Sequence, residues 1–200
     1  MTMSKICHAP MRQLAAFGGL CVLLAAPATA GPAGTYVRRI DGGVPVAERC
    51  AEAAMHARRD TEAGIAACTA AIWDAGRRTD TKAGSLTNRA LLYRYAGDVR
   101  SALKDCSRAL AMVPDHPGTA VTCAAVYINA GKPRAAIGVL EDAPLPAPGL
   151  QYRYYHNLAL AHHDLGEYAQ AYHYILKTLE AKPDFLPAIK LKKQYRVAGE

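Results

Sequence analysis

One pattern returns at a near-constant interval from residue 86 onward in this 200-residue chain, and it restricts the fold more than any other feature. Leu86-x2-Arg89-Ala90-x2-Tyr93 is followed by Gly97-Asp98, Ala102, Cys106, Ala109 and Pro114. Ala120-x2-Cys123-Ala124-x2-Tyr127 is followed by Gly131-Lys132, Ala136 and Leu140. Tyr155-x2-Leu158-Ala159-x2-His162 is followed by Gly166-Glu167, Ala171, Ile175, Thr178 and Pro183. Gly97, Gly131 and Gly166 stand 34 and 35 positions apart. Each unit reads as a helix with large residues at helical spacing, a Gly-containing turn, and a second helix with small residues where the two cross. Small side chains let helices approach closely, and Gly ends the first helix in a left-handed conformation. The proline beyond the second helix stops it. Composition agrees: 51% of residues are hydrophobic, only 7% aromatic, and Ala carries much of the apolar share. A β-sandwich needs runs of Val, Ile and Phe that this chain lacks. A disordered polyelectrolyte, a collagen and a polytopic membrane protein are excluded on the same numbers.

These offsets resemble the tetratricopeptide repeat family. The likeness is good over 83–116 and 152–185 and fair over 117–151. A degenerate copy fits 45–76, with Gly64, Cys68 and Ala71 in its second helix; Glu48, Ala51, Glu52 and Met55 of its first helix depart from the signature. The resemblance implies an all-α solenoid of four helix-turn-helix hairpins. Helices are expected over 45–58, 61–75, 83–96, 99–112, 117–130, 133–142, 151–165 and 168–181. A ninth helix near 187–197, in the capping segment 186–200, covers the open end of the stack. Residues 31–44 read as a flexible lead-in and 143–149, rich in Pro, as a stiff connector.

Residues 1–30 read as a secretory signal peptide. Lys5 and Arg12 precede an apolar stretch from Leu14 to Ala26, and Ala28-Thr29-Ala30 forms a small-x-small cleavage site. The apolar run is broken by Gly18, Gly19 and Pro27 and falls short of the ~20 residues that a span requires. Leu20 stands before Cys21 where a lipoprotein signal has a small residue, so lipidation is not expected. Cleavage after Ala30 implies an exported, periplasmic protein. The full chain has 24 Lys plus Arg against 17 Asp plus Glu, a net charge of +7. Losing Lys5 and Arg12 leaves +5, too mild and too dispersed to indicate a nucleic-acid partner.

Beyond the leader, with its Cys7 and Cys21, four cysteines remain: Cys50, Cys68, Cys106 and Cys123. An even count in an exported chain points to disulfides. Residues equidistant from the turn of an antiparallel helix pair lie side by side. Cys50 and Cys68 each stand nine residues from Arg59, and Cys106 and Cys123 straddle Pro114-Asp115. If the chain forms hairpins, the pairs are Cys50–Cys68 and Cys106–Cys123; four buried thiols acting as small hydrophobes are the alternative. The same symmetry about Gly97 places Arg89, at a position usually apolar in the resembled family, beside Asp105, so a structural ion pair is expected there.

Chemistry-bearing motifs are lacking. The chain has no GxSxG, HExxH, Walker loop or dinucleotide fingerprint, and no CxxC or CxxCH. His156, His162, His163 and His173 find no Asp, Glu or Cys at zinc spacing, so neither a metal nor another cofactor is expected, and no catalytic residue is assigned. The resemblance implies instead a concave groove lined by the first helix of each hairpin. Carried across residue by residue, its face holds Arg49, Ala53, His56, Leu91, Arg94, Tyr95, Ala125, Asn129, Arg153, His156, Leu160, His163 and Asp164. Arg forks suit carboxylates and Tyr offers flat contact area, so an acidic or carboxylate-ending segment of a protein partner is the expected occupant. Binding would tighten at mildly acid pH if the histidines charge. Asn88 and Asn157 recur at a common family position and are read as structural. Lys190, Lys192, Lys193 and Arg196 make the last helix basic, a solvated face or a contact with anionic envelope surfaces. The expected function is therefore an exported scaffold for protein–protein interaction, not an enzyme. Its rivals are an accessory subunit of an envelope enzyme or secretion complex, and a metal- or small-ligand-binding protein.

Overall fold

The computed structural model describes residues 44–57, 59–76 and 78–196. The expected leader, its cleavage site and the lead-in up to residue 43 lie outside the described residues. Among the described residues there are nine helices and no strand. They are α1 (Val46–Met55), α2 (Thr61–Asp74), α3 (Thr79–Ala96), α4 (Val99–Met112), α5 (Pro117–Asn129), α6 (Pro133–Glu141), α7 (Pro148–Asp164), α8 (Tyr168–Ala181) and α9 (Leu186–Lys192). None of these helices is long and apolar enough to cross a membrane.

The recurring residues do what their chemistry suggests. Gly97, Gly131 and Gly166 have φ of 80°, 67° and 77°, a conformation in which a Cβ is strained. At each, the residue after the Gly donates its backbone N–H back across the turn. Asp98 bonds the Tyr93 carbonyl, Lys132 that of Tyr127 and Glu167 that of His162, each at 2.9 Å. Three hairpins therefore share one helix-ending motif, which satisfies carbonyls that would otherwise lack donors. Ala90, Ala124 and Ala159 on the first helices, and Ala102, Ala136 and Ala171 on the second, are all buried to within 1% of complete. They are the close-approach points of the crossing helices. In the first hairpin that role falls to Gly64. A Cβ there would meet Leu92 Cδ2 at 2.9 Å and Ala53 Cβ at 3.0 Å, which is why this degenerate copy keeps a glycine.

Each helix packs on the next in sequence, and α9 packs on α8. In addition α1 touches α3, α3 touches α5 and α5 touches α7, while the second helices make no comparable contacts with one another. First helices thus line up on the inside of a curve and second helices splay on the outside, the arrangement of a solenoid. Its core is a chain of small clusters rather than one centre. Val121, Ala124, Leu140 and Leu158 join the third hairpin to the fourth, and Ala159, Ile175 and Leu191 join the fourth to the cap.

Two disulfides fasten this stack. Cys50–Cys68 ties α1 to α2 with Cα atoms 4.5 Å apart, and Cys106–Cys123 ties α4 to α5 with Cα atoms 5.4 Å apart. These are the pairs that hairpin geometry suggests. Arg89 of α3 donates to both oxygens of Asp105 on α4, at 2.6 and 2.9 Å, and to Thr69 Oγ1 of α2 at 2.9 Å. Three helices therefore meet on one guanidinium.

Element limits depart from the expected ones by three residues or more at four places, and α1 ends at Met55 rather than 58. α3 starts at Thr79 rather than 83. α7 starts at Pro148 rather than 151, because a proline fits the first helical position and lacks only an N–H that would go unused there. The connector thereby loses Pro148 and Gly149 to the helix. α9 ends at Lys192 rather than 197, and the chain turns back so that Tyr195 Oη meets His163 Nδ1 at 2.7 Å.

Candidate functional site

The curve formed by α1, α3, α5 and α7 encloses a concave cavity of about 850 Å³, within the ~300–1,000 Å³ range typical of ligand sites. Seven of the expected groove residues line it: His56, Leu91, Arg94, Tyr95, Ala125, Arg153 and His156. The other six do not. Arg49 borders a separate cavity of about 480 Å³ in the seam between α1 and α2, with Ala53, Ala63 and Ala67. Asn129 is the exposed last residue of α5. His163 turns to the cap, where it holds the Tyr195 hydroxyl and meets the Tyr168 ring edge-on at 5.8 Å. Leu160 and Asp164 also lie off the cavity.

Sequence reasoning missed Met55, Arg59, Thr122 and Phe185, which line the wall beside Ala51, Ala54, Ala57 and Val121. Phe185 lies between α8 and α9, and its ring meets Tyr152 and His156 of α7 at 5.0 Å each. Asn157 proves structural, since its Nδ2 donates to the Val121 carbonyl at 2.8 Å and pins α7 to α5. Both Asn157 and Asn88 line the cavity.

The wall is electrostatically one-sided. Arg59, Arg94 and Arg153 line it and, among the described residues, no Asp or Glu does. The arginines are not equivalent. Arg153 donates its Nε–H to the Tyr152 hydroxyl at 2.9 Å, and its guanidinium lies 5.6 Å from that ring, which Lys182 also approaches at 4.9 Å. Arg94 stacks on Tyr95 at 5.0 Å, but its Nε is buried with no hydrogen-bond partner. His156 Nδ1 is likewise buried and unpartnered, and its ring meets Phe185 edge-on at 5.0 Å.

Burial in this wall lowers the pKa of His156 to about 4. The expectation that groove histidines charge at mildly acid pH therefore fails for this one, because the charged form would lose its water without gaining an acceptor. The shift has a consequence for stability. An unfolded His takes up its proton near pH 6.5, but the folded protein refuses it until about pH 4. Stability then falls as pH drops through that window and levels off below it. Replacing His156 with Gln removes that contribution, roughly 2–3 kcal/mol at pH 4. Urea unfolding at pH 7, 5.5 and 4 checks this; a variant with the parent's pH slope contradicts it.

Among the described residues no three His, Cys, Asp or Glu side chains converge as a metal site would require. His162 stacks on Tyr174 at 5.4 Å and bonds Glu167, and His173 meets Tyr174 edge-on at 5.2 Å. At the far end, Lys190, Lys192, Lys193 and Arg196 are all exposed.

Two family models described as tetratricopeptide repeat match the chain, over residues 93–160 and 152–185. Together they span α4 to α8, whereas the first hairpin, with its atypical α1, lies outside both. No curated protein matches the sequence.

Proposed function

As the chain is a tetratricopeptide-repeat protein, we propose that it is an exported scaffold whose concave cavity holds an acidic segment of a partner protein. Repeats of this family generally mediate protein–protein interaction, and their stacked helices create extended concave surfaces suited to it. Proteins built of them are typically scaffolds without chemistry of their own, and no catalytic step is assigned to this one. The observation that carries the reading is the composition of the wall: among the described residues, three arginines and no carboxylate. Such a surface attracts anions and rejects cations, and Leu91, Met55 and Phe185 add apolar contact. The apolar stretch and small-x-small site of residues 1–30, followed by an even number of cysteines, support export to the periplasm.

Reversing both charges, Arg94→Glu with Arg153→Glu, is expected to weaken partner capture at least about tenfold, as loss of charge-assisted hydrogen bonds does. Crosslinking the tagged protein in its native envelope and quantifying the captured partner against the parent chain measures this. Equal capture by the reversed variant refutes the proposal.

A further inference from the structure

We propose, building on that reading of the groove, that it reads its partner segment at two chemically different points. An acidic side chain seats on Arg94 of α3, and an uncharged side chain with an apolar body seats between His156 and Phe185, where α7 meets the cap. Among the described residues, Arg94 Nε and His156 Nδ1 are the two buried side-chain polar atoms that lack a hydrogen-bond partner, and both belong to the wall of this one cavity. Folded proteins satisfy nearly all such atoms, so two orphans in one concave wall point to an occupant that completes them.

Their chemistry differs. Arg94 is a permanent cation that can only donate, so its complement is an acceptor and best a carboxylate. Arg153 is a weaker anchor because its Nε already serves Tyr152. At the other point the burial that keeps His156 uncharged penalises a carboxylate equally. A neutral imidazole offers one donor and one acceptor, which a peptide amide or hydroxyl can match. Phe185, packed edge-on against both His156 and Tyr152 at 5.0 Å, presents the flat apolar surface on which an aliphatic or aromatic side chain rests. The two points are two stacking steps apart, with α5 between them. At ~8–10 Å per helix pair that is about 16–20 Å, which an extended segment spans in about five or six residues.

The test uses synthetic peptides blocked at both ends, each with one Glu and one Leu at separations of two to eight residues in an Ala/Ser background, titrated into the full chain by fluorescence anisotropy. The expected optimum is near five or six. There, Glu→Gln or Leu→Ala in the peptide weakens binding about tenfold. In the protein, Arg94→Gln abolishes the preference for Glu over Gln but keeps that for Leu over Ala. Phe185→Ala does the reverse, and Phe185→Leu, which preserves bulk before α9, shows the same pattern less strongly. Binding that ignores separation, or a Glu preference that survives Arg94→Gln and vanishes with Arg153→Gln, overturns the two-point reading while leaving a peptide groove in place. If no peptide binds at all, the groove proposal itself fails along with it.

Discussion

Replacing Asp105 with Ala is expected to cost about 3–5 kcal/mol of folding stability, although the residue touches no part of the groove. The carboxylate is 3% exposed and its partner Arg89 is 13% exposed. Once the carboxylate is gone, Arg89 retains one neutral hydrogen bond, to Thr69. A guanidinium held out of water with so little compensation carries the full desolvation penalty. Arg108, at 3.8 Å from Asp105, is itself a cation and offers Arg89 no replacement acceptor. Arginine does not give up its proton inside proteins, so without Asp105 the cation cannot escape by neutralising. Arg89→Met, which strands the carboxylate instead, belongs in the same range. The double variant Arg89→Met with Asp105→Leu should recover most of the loss, because apolar side chains of similar volume need no partners there. Thr69 does not suffer, since its hydroxyl already donates to the Ile65 carbonyl at 2.7 Å. Guanidinium denaturation of all four proteins gives the coupling energy. Additive losses in the double variant would show that burial, not charge pairing, sets the cost.

That pair was legible in the sequence for a simple reason. Two helices joined by a tight turn rise at the same rate per residue, so equal distances from Gly97 mean equal heights. The rule needs no knowledge of neighbouring hairpins, and it also finds Cys50 opposite Cys68. Groove membership is a different kind of property. It depends on how far successive hairpins rotate, and on where the chain goes after the last of them. His163 sits at a groove position by register, but the returning Tyr195 draws it to the cap. Phe185 belongs to no first helix, yet it reaches the wall from the turn between α8 and α9. Among the described residues no hairpin precedes Arg49, and its side of α1 opens on the seam with α2. The contrast between Arg94 and Arg153 was equally hidden. Each has a tyrosine beside it in sequence, but only Tyr152 offers its hydroxyl to the guanidinium.

The second large effect concerns the disulfides, and the two should fail in different ways. The loops they close span 18 and 17 residues, worth about 3 kcal/mol each in the chain-entropy account. Removing both therefore withdraws about 6 kcal/mol from a domain whose total stability is of order 5–15 kcal/mol. The Cys50→Ala/Cys68→Ala variant should lose its stability locally. α1 has ten residues, its start lacks a side-chain cap, and only Cys50 and Ala54 of it are buried. Without the bridge little apolar area holds it against α2 and α3, so its amides should exchange with solvent far faster while those of α5 to α8 stay protected. Because Met55 and His56 belong to the cavity wall, this variant should also weaken groove binding. The Cys106→Ala/Cys123→Ala variant lies in a cluster with Ala90, Ala102 and Val126 that joins two hairpins. Its loss should be global, lowering the unfolding midpoint for every probe together and leaving the pattern of exchange unchanged. Hydrogen exchange by mass spectrometry on both variants, with denaturant midpoints beside it, separates the cases. Uniform exchange in the first variant, or selective exposure of α1 in the second, would show that α1 docks by its packing and not by its bridge.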